Sequence, residues 1–281
     1  VVVAGGAEAW SRSPIRMHRP LTTGSQAVAY ERPAFAPTPE QDPDMLLSAA
    51  RYAANAGYTR AQQEAYAIES HTRALAHQAV MANEIVPIMG VTHDVYPRAI
   101  DATRAARMPL VARTDAAAAD DTCALSTLTV SAQADGAAFV LLVSPQACEE
   151  FKLSAKATWI AHASIGTAPQ TPLLAAELAA QKVLQLAGFN DAKTMRFVEL
   201  HDAFAVQGLS FSQGLGLRSE QVNPRGGGLS RGHPIGASAA IALVRLLADL
   251  ENNLQPDAHG LVAVAGAGGL GSAAVIANQS P

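Results

Sequence analysis

Residues 222–237 read VNPRGGGLSRGHPIGA, and the fold of the chain is decided by how this stretch is read. Three consecutive glycines, Gly226 to Gly228, let the backbone turn sharply and approach a neighbour where a Cβ would stand in the way. Gly232 and Gly236 bracket His233 in the same manner. Pro234 suits the first position of a following helix, where its missing N–H costs nothing. A histidine set just before a helix faces the positive end of the helix dipole, which lowers its pKa and keeps the ring neutral near pH 7, available as a base. A lone histidine is more often a core residue at a tight turn; the flanking glycines shift this one toward a reacting group.

Working outward, residues 238–250 read as a helix, followed by strands over 261–264 and 272–277. Upstream lie a strand over 157–165, a helix over 172–186 stopped by Gly188, a strand over 196–200 and a helix around 203–215. Strand and helix alternating at this pitch mean α/β layers. In the N-terminal part, the run VVVAGGAE at 1–8 and the apolar run 137–143 read as buried parallel strands. Between them, residues 10–43 read as loop. Asp44 caps a helix with Leu46, Leu47, Ala50, Ala53 and Ala54 on its apolar positions, and Gly57 ends it. Thr59 and Gln62 form a capping box for a second helix reaching about Met81, with Tyr66, Ile68, Leu75 and Ala79 facing a core. Residues 84–89 (EIVPIM) make at best an edge strand, loop follows to about Asp121, and residues 145–154 are a polar connection.

Composition narrows the function classes. The 281 residues are 49% hydrophobic and 16% charged, enough to bury a substantial core. A formal net charge of −4 with scattered Lys and Arg argues against a nucleic-acid partner or an anionic membrane surface. No apolar stretch approaches the roughly 20 residues of a spanning helix, and residues 1–8 lack the basic start and apolar core of a secretory signal. Cys123 and Cys148 sit in no CxxC or CxH pattern, so neither a disulfide framework nor a metal site is expected, and the setting reads as reducing and cytoplasmic.

The window around His233 resembles the thiolases, whose catalytic histidine lies in a GGxxxxGHPxGA stretch matched here by Gly226, Gly227, Gly232, His233, Pro234, Gly236 and Ala237. Further similarities follow in order: AGGAEAWS at 4–11, YTRAQQEAYAIESHTRALAHQA at 58–79, EIVPI, ADGAA at 134–138 and ELHDAFA at 199–205. His-Asp rather than Asn-Glu before Ala-Phe leans toward the branch of sterol-carrier-protein thiolases. The resemblance implies a layered αβαβα thiolase fold of two similar halves, with the N-terminal half lacking its first strands in this chain. Residues 1–9 and 123–146 would belong to that half, 10–122 to an inserted loop domain and 154–281 to the C-terminal half. Members pair through their N-terminal sheets, so a homodimer or dimer of dimers is expected.

Thiolase chemistry, as the family implies it, uses a nucleophilic cysteine to take the acyl group, a histidine to activate that thiol and a second cysteine to move a proton at the α-carbon. His233 would be the base. His201 would help form an oxyanion site through a water, with a structural histidine at a strand end as the alternative. The backbone of Ala265, Gly266, Ala267, Gly268 and Gly269 would line a second oxyanion site or simply make a tight turn. Ser131 or Gln133, with Gly232, would face the pantetheine arm of a CoA thioester, the substrate in a reaction that needs no other cofactor. Arg12, Arg16 and His18 are available to its phosphates, though a solvated loop suits them as well. The nucleophilic cysteine would lie upstream of Val1, and the second cysteine is replaced: Ala265 and Ala203 stand where the family carries it. Three expectations follow: an acyl-CoA acyltransferase, a degenerate relative that binds CoA or acyl-CoA, and a structural subunit supporting an active partner.

Overall fold

The computed structural model describes residues 1–114, 121–253, 255 and 257–279. Strand β1 (Val2–Ala9) is followed by a small hairpin, β2 (Arg16–His18) with β3 (Val28–Tyr30), inside the stretch expected to be loop. Helix α1 (Met45–Ala56) lies between its predicted signals, since Asp44 accepts a hydrogen bond from the Leu47 N–H and Gly57 takes φ 76°. The capping box of Thr59 and Gln62 opens α2 (Arg60–Ala76). This helix ends five residues earlier than expected and is followed by a single turn, α3 (Gln78–Met81).

The inward face of α2 differs from the expectation. Leu75 and Ala79 are exposed, while Gln63, Glu64, Ser70 and His71 are buried beside Ala67 and Ala74. Residues 84–89 form no strand, only a single bridge between Ile88 and Val91, because Pro87 removes a ladder donor. Helix α4 (Ala102–Ala105) and strand β4 (Leu110–Ala112) interrupt the predicted loop, of which 115–120 lie outside the described residues, and strand β5 (Leu125–Ser126), paired with β4, follows it.

Strand β6 (Asp135–Leu142) pairs with β1 antiparallel, Val2 opposite Leu142 and Ala9 opposite Asp135. Neither strand is the buried parallel strand expected: Val2 and Val3 are 60% and 68% exposed. An apolar run alone cannot tell a strand covered on both faces from one covered on a single face. Residues 145–154 contain helix α5 (Pro145–Phe151), with Ser144 as its cap and Pro145 in the first turn.

From β7 (Ala157–Gly166) the predicted elements appear in order: α6 (Ala175–Leu186), β8 (Phe197–Leu200) and α7 (Ala205–Gly214), then, after α8 (Gly228–Arg231), an unpredicted single turn within the glycine loop, the predicted α9 (Ser238–Glu251), β9 (His259–Gly266) and β10 (Leu270–Asn278). Helix α9 begins at Ser238, so Pro234 lies in the turn before it and not at its first position. The sheet has the order β7-β10-β9-β8, with β8 and β9 parallel and β10 antiparallel to both neighbours. Ala176, Ala179, Ala180 and Val183 of α6 pack on one face with Val198, Leu261 and Val275. Ala242, Leu246 and Leu250 of α9 pack on the other with Val262, Ala274 and Ile276. Beyond α9 stand β1 and β6: a Cβ on Gly6 would lie 1.8 Å from the Gly236 carbonyl oxygen, and one on Gly136 would lie 3.0 Å from Pro234. The helix that follows the histidine window is thus held between two sheets.

Leu246 has no exposed surface and fills the space left by the missing side chain of Gly260. Leu246→Ala is expected to cost about 2–5 kcal/mol of unfolding free energy, read by urea denaturation. A loss well under about 1 kcal/mol would contradict the packing of α9 on the sheet.

Candidate active site

The parallel strands β8 and β9 end at one edge of the sheet, and β8 delivers His201 and Asp202 there. The His201 N–H donates to the Ala263 carbonyl at 3.1 Å, prolonging the pairing beyond Leu200. Asn223 anchors the other side: it sits at φ 48°, its N–H donates to Val198 at 2.9 Å, and its side-chain oxygen accepts from the Leu200 N–H at 2.9 Å. The short asparagine side chain makes this left-handed position tolerable.

The glycine loop then folds over these residues at backbone distance. A Cβ on Gly227 would lie 2.2 Å from Asp202 Oδ1, and one on Gly228 would lie 2.7 Å from His201 Cε1. The Gly228 N–H donates to Asp202 Oδ1. The polar face of α2 holds the loop from the other side. Ser70 Oγ accepts from the Gly227 N–H at 3.0 Å, Arg73 donates to the carbonyls of Ser219 and Val222 at 2.9 Å each, and Tyr66 donates to Asp202 Oδ2 at 3.0 Å. Gly208 of α7 leaves room for the Tyr66 ring, whose Cζ would be 2.2 Å from an added Cβ. Ser70, Tyr66 and Arg73 of α2 therefore clamp the glycine loop and the residues beside it, which hydrophobic periodicity could not reveal.

This arrangement brings His201 and His233 together, with ring centroids 4.1 Å apart and planes 32° from parallel. His201 is 2% exposed, and its Nε2 is buried without a hydrogen-bond partner. Burial lowers its pKa well below the ordinary histidine value, and neighbouring His233 and Arg231 add to that. Burial also lowers His233, to about 4, against a smaller upward pull from Glu8. Neutrality of His233 near pH 7 was expected from a helix dipole; desolvation is the cause here, since α9 begins five residues further on. Beneath the pair, burial raises Asp202 to about 6, with Arg231 and Tyr66 pulling it down. It raises Glu199 to about 7 against Arg231 and Arg245. Arg231 Nη1 lies 3.6 Å from Glu199 Oε2, joining the β8 side of the site to the loop that carries His233. A wider ionic cluster continues away from the histidines, with Arg225 bound to Glu84 and, at 2.8 Å, to Asp249, and with Arg245 3.4 Å from Glu84.

The other residues singled out from sequence fall in two groups. Ser131, Gln133 and Gly232 lie at the site. The Ser131 N–H donates to the Ala203 carbonyl at 2.9 Å, Gln133 bridges His233 in parallel, and the His233 N–H donates to the Ala132 carbonyl at 2.6 Å. A Cβ on Gly232, at φ 93°, would meet Ala134 at 2.8 Å. The turn of Ala265 to Gly269 lies at the end of β9 and is held by segments away from the histidine window. Gly268 packs on the Phe35 carbonyl, and the Gly269 carbonyl accepts from the Thr167 N–H at 2.7 Å. Cys123 packs with the α1 core and Cys148 lies on α5; both are half-buried and neither adjoins the histidine pair. Arg16 is occupied by the Glu31 carbonyl at 3.2 Å, and His18 stacks on Tyr30. No group of three or more metal-ligating side chains, and no helix long and apolar enough to cross a membrane, occurs among the described residues.

A β-strand end, a glycine loop and two neutral histidines define a site for polarising or deprotonating a bound group, and comparison with known proteins gives it a family. The thiolase N-terminal domain matches residues 1–146 and the thiolase C-terminal domain matches 153–278, so the chain belongs to the thiolase family. Among curated proteins it is 32% identical to the acetyl-CoA acetyltransferase of Chromobacterium violaceum, covering 83% of this chain and 60% of that protein. It is 29% identical to a beta-ketoadipyl-CoA thiolase of Acinetobacter baylyi, covering 90% and 67%. An acetyl-CoA acetyltransferase of Yarrowia lipolytica is 28% identical and is matched over 100% of this chain and 70% of its own length. The chain thus spans 60–70% of the length of these relatives. Among solved structures, the Acat5 thiolase of Ascaris suum in complex with coenzyme A superposes with a TM-score of 0.85 at 29% identity, covering 99% of this chain and 72% of that one. The human mitochondrial 3-ketoacyl-CoA thiolase superposes at 0.86 with 22% identity, covering 99% and 71%. The fold is the thiolase fold.

The buried titratable groups oppose one another in their effect on stability. His71 and His233 have folded pKa values below the unfolded value of 6.5, so their contribution is present above that pH and is lost as pH falls through about 4, and His201, held well below its ordinary value, acts in the same direction. Glu199 and Asp202 are raised, so theirs is present at low pH and is lost as pH rises through about 7 and 6. His71 lies outside the histidine pair, with its Nε2 buried and unpartnered. His71→Gln is expected to lose less stability than the unsubstituted protein between pH 6.5 and 4.5, read by urea unfolding. An unchanged slope would mean that folded His71 takes up its proton normally.

Proposed function

We propose that the protein is an acyl-CoA acyltransferase that cleaves 3-ketoacyl-CoA by thiolysis or runs the reverse Claisen condensation, with His233 as the base for the attacking thiol. The observation that carries this reading is the neutral histidine pair at 4.1 Å, folded under a glycine loop at the sheet edge where Ser131 and Gln133 also lie. A neutral imidazole is the form that accepts a proton, and proton transfer by a positioned group is commonly worth about 10²- to 10⁴-fold in rate. His201 would stabilise the thioester oxygen, and the backbone from Ala265 to Gly269 would supply a second oxyanion site. Support comes from relatives named acetyl-CoA acetyltransferase and beta-ketoadipyl-CoA thiolase and from the coenzyme A complex of the Ascaris suum protein.

In this reading CoA is a substrate, no other cofactor takes part, and the acyl group is carried by a cysteine upstream of Val1. A leaning toward the sterol-carrier-protein branch rests on His201 and Asp202 at the strand end. The proposed organisation is 1–9 and 123–146 in the N-terminal half, 10–122 as inserted loop domain and 154–281 as the C-terminal half, with the protein acting as a homodimer or dimer of dimers in the cytoplasm.

A second reading is favoured by Ala203 and Ala265, which stand where the family resemblance places its proton-moving cysteine. A methyl group exchanges no proton, and such a protein would bind CoA or acyl-CoA without efficient carbon–carbon chemistry. Loss of acetoacetyl-CoA enolate absorbance in the presence of free CoA separates the two. The acyltransferase reading expects turnover that His233→Ala lowers at least 10²-fold with folding intact. Absent turnover, with CoA still raising the melting temperature, selects the second reading.

A further inference from the structure

Among the described residues the ring of His233 has one hydrogen-bonding partner, and that partner's own hydrogen is already committed. His233 Nδ1 lies 2.8 Å from Ser238 Oγ. Ser238 Oγ in turn donates to the Pro234 carbonyl oxygen at 2.9 Å, a bond in which the carbonyl can only accept. The hydroxyl has a single hydrogen, so toward the imidazole it presents a lone pair. The nitrogen facing it must then be the donor, and in a neutral ring the second nitrogen is bare.

The pieces that enforce this geometry are local. Ser238 is the first residue of α9 and 2% exposed, so its side chain has no competing water. Pro234 closes the turn by accepting the Ala237 N–H at 2.8 Å as well, which fixes its carbonyl under the hydroxyl. Gly236 lets that turn press on β1, where an added Cβ would meet the Ala7 carbonyl at 2.5 Å. The backbone of His233 is tied to Ala132 at 2.6 Å, which fixes the Cα from which the ring reaches Ser238.

We infer that Ser238 is a positioning residue that locks His233 in the Nδ1–H tautomer and turns a bare Nε2 toward the reacting group. The inference deepens the proposed function, since it rests there on His233 as base, but the tautomer itself exists whether or not the protein turns over. Without the serine lone pair the ring is free to place its hydrogen on Nε2, and a base with the wrong nitrogen protonated cannot take the thiol proton. A threonine at 238 keeps the hydroxyl and with it the lock.

The test is nitrogen NMR of the protein labelled with ¹⁵N-histidine at pH 7, with the His233 signals identified by their disappearance in His233→Gln. A protonated and a bare ring nitrogen resonate far apart, so the tautomer is read directly. The unsubstituted protein is expected to show hydrogen on Nδ1 only, Ser238→Ala to show population of the Nε2–H form, and Ser238→Thr to restore the original spectrum. Where turnover is measured, Ser238→Ala should lower kcat at least tenfold with KM changed less than threefold, and Ser238→Thr should recover it. An Nε2–H ring in the unsubstituted protein overturns the proposal without any variant, as does an Nδ1–H ring unmoved by Ser238→Ala. Turnover retained in His233→Ala, together with the expected spectra, would remove the base role of His233 while leaving the lock in place.

Discussion

Everything at the candidate site depends on one close approach, the backbone of Gly227 and Gly228 lying directly on His201 and Asp202. No side chain fits between them, since a Cβ at either glycine would fall 2.2 Å from the carboxylate or 2.7 Å from the imidazole. The contact helps to keep water from His201 and Asp202, and burial moves these two and Glu199 in the direction of their neutral forms. It also joins two distant parts of the chain. β8 brings His201 to the sheet edge, the loop brings His233, and only the backbone contact sets the rings at 4.1 Å. Helix α2 takes part as well: Ser70 holds Gly227, Tyr66 binds Asp202, and Arg73 binds the carbonyls of Ser219 and Val222 ahead of the loop.

Such a site works against stability, which explains its supports. Buried carboxylates and guanidinium groups lose their hydration and are retained only with partners or a shifted pKa. Arg231 compensates Glu199, and Arg225 and Arg245 compensate Glu84 and Asp249, with Glu199 and Arg245 attracting each other between the two sets. The apolar layers of α6 and α9 on the four-stranded sheet supply the opposing stabilisation, placed away from the sheet edge where the polar groups gather.

Many of the helix ends were legible because their signals are local. Gly188, Asp44, Gly57 and the capping box at Thr59 each act within a turn of the helix end they mark, and the structure places those ends as the residues indicate. The misplaced features depend on distant partners. Whether β1 and β6 are covered on one face or two, and whether they pair parallel or antiparallel, is settled by what packs beside them and not by their valines. α2 was read for an apolar stripe, whereas its decisive face is polar and answers to a loop some 150 residues later. His233 was legible from its glycines, but the cause of its neutrality is burial and its orienting serine lies five residues on, so neither belongs to the motif as read.

The central claim, that the histidine pair faces the thioester of a CoA substrate, is tested most directly by a crystal structure of the protein soaked with acetyl-CoA. The thioester carbonyl is expected at the sheet edge, within hydrogen-bond reach of a His201 or His233 ring nitrogen or one ordered water away. A thioester seated elsewhere on the protein, with the histidine pair untouched, would contradict it.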